Sequence, residues 1–258
     1  MSGSPDLPIG ANPSFIDLIK DTRADALPAF DRSADVVVRH GTTVLGLKFE
    51  GGVVVAGDRR ATEGLYIADD RMEKVFAADE FSAVAISGAA GQAVEVVKLF
   101  TVELEHYEKV TGERLSLEGK ANRLAQMIRE NFPLALQGLV VVPLFGGYDE
   151  RHGDGRLFRY DATGGRWEEE EFDTTGSGGR AAKGTLKKLW RAGLPRDEAL
   201  RIAVQALVDA AEEDIGTGGP SLAKGIYPTV LVITSGGVEE IPDEELKPIV
   251  ESVVGETK

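Results

Sequence analysis

No cysteine occurs among the 258 residues, which excludes a disulfide framework, a thiolate nucleophile and any cysteine-ligated zinc or iron–sulfur site. Histidine is scarce as well. The three present, His40, His106 and His152, fall into no HExxH or other recognisable ligand spacing, so no metal and no cofactor are expected. Basic residues number 29 against 43 acidic ones, and the net charge of -14 argues against non-specific affinity for nucleic acid or an anionic membrane. Nowhere does the chain offer the roughly 18 consecutive apolar residues of a membrane span, and its start lacks the basic and apolar regions of a secretory signal. A cytoplasmic location is the simplest expectation. The side chains left for chemistry are hydroxyls, lysines and carboxylates.

What is present suits one compact domain, since 42% of the residues are hydrophobic, ample for a sizeable core. Residues 1–41 differ in texture, with Pro5, Pro8, Pro13 and Pro28 among polar groups and one apolar patch of Phe15, Ile16, Leu18 and Ile19. This reads as a leader or arm, and the patch suits a short amphipathic turn against another surface as well as an ordinary terminal helix.

From Val36 to Phe49 the chain is rich in β-branched and apolar residues, and Gly51-Gly52 then precede Val53 to Ala56, a hairpin pattern. Phe81 to Ile86 reads as a strand running through Ser87 and Gly88 into a helix, whose stripe includes Ala93, Val97, Leu99, Phe100, Val102 and Leu104. A second helical stripe from Leu117 to Ile128 is expected to stop near Pro133. Strands follow at Leu139 to Phe145 and Arg156 to Asp161, with another short one after Gly164-Gly165. Helices follow at Ala181 to Trp190 and Arg196 to Asp214, then a hairpin of Thr229 to Thr234 with Val238 to Ile241, and an acidic tail helix. Paired β segments followed by paired helices, twice over, predict an α+β architecture of two packed sheets with helices outside them.

The chemistry concentrates at His40-Gly41-Thr42-Thr43, just before an apolar run. If the Gly41–Thr42 bond were cut, Thr42 would carry both a hydroxyl nucleophile and a free α-amine, whose ordinary pKa of about 8 suits a base near neutral pH. Before the cut that amine is an amide, so the leader would lock the activity, and Gly41 suits the tight approach of Thr42 Oγ to its own preceding carbonyl. Lys74 near Thr42 would stabilise developing negative charge, Asp58 could hold Lys74 in register, and the Gly88 N–H sits where a strand meets a helix and can face an oxyanion. Taken singly, these positions also read as a bend, a surface lysine, a turn carboxylate and a packing glycine.

Taken in order, Gly41-Thr42-Thr43, Gly57-Asp58-Arg59-Arg60-Ala61-Thr62, Lys74, Ile86-Ser87-Gly88 and the helix carrying Glu103-Leu104-Glu105-His106-Tyr107-Glu108-Lys109 resemble the 20S proteasome β subunits of actinobacterial type, within the N-terminal-nucleophile (Ntn) hydrolases. The likeness runs from Thr42 to the tail. It implies a four-layer αββα sandwich with two antiparallel sheets, a propeptide over 1–41 removed by autolysis, and a peptidase domain over 42–258. By this resemblance Thr42 is the nucleophile, Asp58 and Lys74 are its charge partners, Gly88 is the oxyanion donor, and Ser177 and Asp214 steady the nucleophile and its amine. Thr217 stands where many relatives carry serine, keeping the hydroxyl and adding a methyl. Peptide would lie along Arg60, Ala61 and Thr62 through backbone hydrogen bonds. Ala61, Met72, Ile86 and Ala90 match positions around the first substrate pocket, and their apolar character implies cleavage after apolar residues.

The resemblance further implies a metal-free threonine endopeptidase acting on unfolded proteins inside a chamber. Its partners would be α subunits, a homo-heptameric β ring in an α7β7β7α7 stack and a regulatory ATPase ring. The Ala93 to Leu104 stripe is a candidate ring contact or an ordinary buried helix face. Two other readings compete: an Ntn-type amidohydrolase acting on a small amide, and a non-catalytic structural β-like ring subunit that keeps its leader.

Overall fold

The structure is a computed structural model that describes residues 41–63 and 66–256. The expectations for residues 1–40, including the Phe15 to Ile19 patch, lie outside the described residues. Among the described residues the chain forms β1 (Thr43–Phe49), β2 (Gly52–Gly57), β3 (Ala61–Glu63), β4 (Tyr66–Asp69), β5 (Val75–Asp79), β6 (Ser82–Gly88), α1 (Ala90–Thr111), α2 (Leu117–Glu130), α3 (Phe132–Ala135), β7 (Val141–Asp149), β8 (Asp154–Tyr160), β9 (Arg166–Glu169), β10 (Phe172–Gly176), α4 (Gly179–Leu189), α5 (Arg196–Glu213), β11 (Thr229–Thr234), β12 (Gly237–Glu240) and α6 (Asp243–Glu256).

Two five-stranded antiparallel sheets, ordered β10-β1-β2-β11-β12 and β5-β6-β7-β8-β9, pack face to face, and β3 and β4 form a separate ribbon. Between the sheets Val44, Val53 and Val55 meet Ala85, Leu144 and Leu157. The opposite faces are also covered: Leu45, Leu47, Val54 and Ala56 pack under α4, α5 and α6, while Val84, Ile86 and Phe145 pack under α1 and α2. This is the expected αββα sandwich. Because each sheet is buried on both faces, its central strands are continuous apolar runs with no polar alternation. Gly46 leaves room between the sheets, since a Cβ there would stand 2.6 Å from Leu157 Cδ1.

The helices begin and end where local chemistry requires. Gly112 takes φ +75° and returns its N–H to Glu108 O to close α1, and the Ser116 side chain caps α2 by accepting the Gly119 N–H. After α2 the chain turns into the short α3, with Pro133 in its first turn, where a missing N–H costs nothing. The α1 stripe needs correction. Ala93, Val97, Phe100 and Leu104 are buried as expected, but Leu99 and Val102 are 54% and 59% exposed, because they fall on the other side of a 3.6-residue helix. Among the described residues no helix is long and apolar enough to cross a membrane.

Candidate active site

The ends of β1, β2, β6 and β10 and the loop after α5 converge on Thr42, the residue preceding β1, which is only 5% exposed. β1 pairs with β10 so that Thr43 lies opposite Gly176, and with β2 so that Val44 lies opposite Gly57. This register delivers Ser177 and Asp58 to opposite sides of Thr42. The approach is close enough to exclude side chains: a Cβ on Gly176, at φ +98°, would stand 2.0 Å from the Thr42 carbonyl oxygen.

Asp58 is sealed from water and fully employed. Its Oδ1 accepts the Thr43 N–H and the Lys74 ammonium, each at 2.7 Å, while Oδ2 accepts N–H groups from Arg60 at 2.9 Å and Gly218 at 2.8 Å. Lys74, immediately before β5, also donates to the Arg60 carbonyl. Burial pushes the Lys74 ammonium below the usual lysine value, with the Asp58 carboxylate pulling it back only in part.

On the other side Ser177 accepts the Thr42 N–H at 3.2 Å, and its backbone N–H donates to the Thr42 carbonyl at 2.8 Å. Its hydroxyl also lies 3.3 Å from that carbonyl, but its one proton belongs to Asp214 Oδ2 at 2.5 Å, the shorter and charge-assisted contact. Thr217 Oγ1 donates to the same carboxylate oxygen at 2.6 Å and so accepts from Thr43 Oγ1, also at 2.6 Å. Burial alone would raise the Asp214 carboxyl, but the Ser177 and Thr217 hydroxyls, the Gly216 N–H and the Lys74 cation outweigh it and hold it below the usual aspartate value. The added methyl of Thr217 is accommodated, since the residue is fully buried with its hydroxyl in the network.

In the uncut chain Thr42 Oγ1 donates to the Gly41 carbonyl oxygen at 2.6 Å. Gly41 is wedged against Gly216, where a Cβ would stand 2.1 Å from the Gly216 Cα. Gly88 ends β6 at φ +111°, a conformation reserved for glycine, with Val140 O 2.0 Å from where a Cβ would be. It shares a small cleft with Thr42, Met72, Lys74, Ile86 and Ala90. Ala61 lies on β3, outside the lining of this cleft.

Of the expected peptide strand, the Arg60 N–H serves Asp58 and its carbonyl serves Lys74, while its guanidinium clamps the carbonyls of Ile215 and Thr217 at 3.1 and 3.2 Å. Three contributions were missed from the sequence: the Thr43 hydroxyl, the Arg60 clamp, and the Thr62 hydroxyl, which accepts the Gly41 N–H at 2.8 Å. The second threonine of the Thr42-Thr43 pair was a visible signal for the first. The other two depend on contacts between residues well separated in the chain. Among the described residues no three His, Asp or Glu side chains are grouped as metal ligands.

A family model described as "Proteasome subunit" matches residues 38–221. A protein named "Proteasome subunit beta" from Acidimicrobium ferrooxidans is 56% identical over 238 residues, covering 92% of this chain and 87% of its own length. One of the same name from Streptomyces griseus subsp. griseus is 53% identical over 246 residues, covering 93% and 87%.

Proposed function

Since the chain belongs to the proteasome subunit family, as a β subunit of the actinobacterial type, we propose that Thr42 is its nucleophile and that residues 1–41 are a propeptide removed by self-cleavage. The activity is that of a threonine-type endopeptidase in protein degradation. The observation that carries the residue assignment is Thr42 Oγ1 lying 2.6 Å from the Gly41 carbonyl oxygen, between a buried lysine–carboxylate pair and a hydroxyl–carboxylate network.

In maturation, Thr42 Oγ adds to the Gly41 carbonyl carbon, the C–N bond to Thr42 breaks, and the hydroxyl proton ends on the nitrogen. Water then cleaves the resulting ester, leaving a Gly41 carboxylate and a Thr42 bearing hydroxyl and amine. In peptide hydrolysis the same Oγ attacks a substrate carbonyl while the amine takes its proton, directly or through water. The acyl-enzyme forms as the leaving amine is protonated, and water releases the acid. The Lys74 cation, held by Asp58, favours negative charge on Oγ, the Gly88 N–H faces the oxyanion, and Ser177 with Asp214 and Thr217 orients the amine. Met72, Ile86 and Ala90 shape an apolar first pocket, and the Ala61 and Thr62 backbone supports an extended peptide.

Enclosure fits this chemistry. β rings of seven in an α7β7β7α7 stack with α subunits, fed with unfolded protein by an ATPase ring in the cytoplasm, keep the nucleophile from other proteins. Coexpression with a matching α subunit is expected to give a large assembly whose β chain begins at Thr42 by intact mass and amino-terminal sequencing. A β chain still starting at Met1, or cut elsewhere, would overturn the maturation step. Thr42→Ala is expected to keep its leader and lose hydrolysis of an apolar fluorogenic peptide.

A further inference from the structure

Peptide binding through the β3 backbone makes no use of the Thr62 hydroxyl, yet that hydroxyl is engaged. Thr62 Oγ1 accepts the Gly41 N–H at 2.8 Å in a buried setting, across 21 residues of sequence. Thr62 is 6% exposed, so without this acceptor the Gly41 N–H would be left unsatisfied and shut from water. The bond grips the leader on the near side of the scissile carbonyl. On the far side Ser177 N–H holds the Thr42 carbonyl at 2.8 Å, and Asp58 holds the Thr43 N–H at 2.7 Å. Gly41 is also pressed on Gly216, with no room for a side chain. Between these anchors few torsions remain free, and those that remain decide whether the Gly41 carbonyl faces Thr42 Oγ1, as it does here at 2.6 Å.

We propose that the Thr62 hydroxyl is a positioning residue for self-cleavage, holding the Gly41 N–H so that the scissile carbonyl stays under Thr42 Oγ; this rests on the self-cleavage reading above. The Gly41 N–H is chemically untouched when the acyl group moves from the Thr42 nitrogen to its oxygen, and again when water cleaves the ester. The grip therefore lasts through both steps and is released with the leader. Thr62 thereby has two separable parts: a backbone that supports substrates in the mature enzyme and a side chain that serves the chain's own leader once.

The test follows leader loss by intact mass in assembled particles, coexpressed with the α subunit and sampled over time after a pulse of synthesis. Thr62→Val, which keeps the shape and removes the acceptor, is expected to slow leader loss about tenfold, and Thr62→Ser to stay within about twofold of the parent. A Thr62→Val chain that sheds its leader at the parental rate, or a Thr62→Ser chain as slow as Thr62→Val, would overturn the assignment. Should Thr62→Val fail to assemble, Thr62→Ala takes its place, and equal rates for Thr62→Ala and Thr62→Ser count against it equally. Thr42→Ala runs alongside: leader loss in that variant sinks self-cleavage itself, whereas its retention leaves any failure specific to Thr62.

Discussion

Lys74 meets Asp58 Oδ1 at 2.7 Å with both side chains almost sealed from water, an arrangement in which removal of one partner strands the other's charge. Asp58 would keep three N–H donors after Lys74→Met, so the loss should fall toward the lower end for a broken buried pair, about 3 kcal/mol. Urea unfolding of the Thr42→Ala precursor with and without Lys74→Met measures this, and a shift under about 1 kcal/mol would contradict it. Asp214 carries a pH dependence. Its folded pKa lies below the ordinary 3.8, so it contributes stability that is fully present above that value and lost as pH falls through the folded one. Asp214→Asn is therefore expected to flatten the fall in the urea midpoint between about pH 5 and pH 2. An acid limb as steep as the parent's would refute the shift. Thr42, Asp58, Lys74, Ser177, Asp214 and Thr217 could be nominated from the sequence because each sits in a short motif and the motifs keep a recognisable order. Arg60 was expected only as part of the peptide strand; its clamp could not be foreseen, because it depends on the guanidinium reaching carbonyls 155 and 157 residues away.

β10 shows where strand patterns fall silent. Its sequence, Phe-Asp-Thr-Thr-Gly, has little apolar character, and it becomes a strand because β1 supplies a pairing edge. β4 shows no strand pattern for a similar reason, being short and exposed at all four residues, and β3 was expected only as the peptide strand that the resemblance implies, its own pattern cut short by a register shift between Ala61 and Thr62. The long runs of β1, β2, β6 and β11 and the stripes of α2 and α5 were legible because burial on both sheet faces and one helix face leaves an unbroken apolar signature. Yet β10 positions Ser177, and its last residue shares with Gly88 the tightest clearance in the site. Gly176→Ala would force a Cβ into Thr42 O at 2.0 Å and ask alanine to hold φ +98°, so the end of β10 must leave β1. We expect the precursor to fold with a stability loss of about 1–3 kcal/mol and to lose its leader at least tenfold more slowly. Parental kinetics of leader loss would show that β10 does not set the geometry of Thr42.

At the scale of the molecule, the proposed ring asks a chain of net charge -14 to associate with copies of itself. Like charge opposes that at long range, so attraction must come from apolar surface at short range. The outer side of α1 offers such surface: Leu99, Val102 and Val110 are 54%, 59% and 70% exposed, while the helix's other side is already buried against the β5–β9 sheet. In the proposed ring this outer side meets a neighbouring subunit. Two consequences can be measured by native mass spectrometry and size exclusion of the coexpressed particle. Raising salt from about 0.05 to 0.3 M, which shortens the screening length from roughly 14 to 6 Å, is expected to increase the assembled fraction. Val102→Glu, which adds charge and removes apolar contact without touching the core, is expected to lower that fraction at every salt concentration. An assembled fraction that falls with salt would mean ion pairs drive association, and a Val102→Glu chain that assembles like the parent would place the contact on another face.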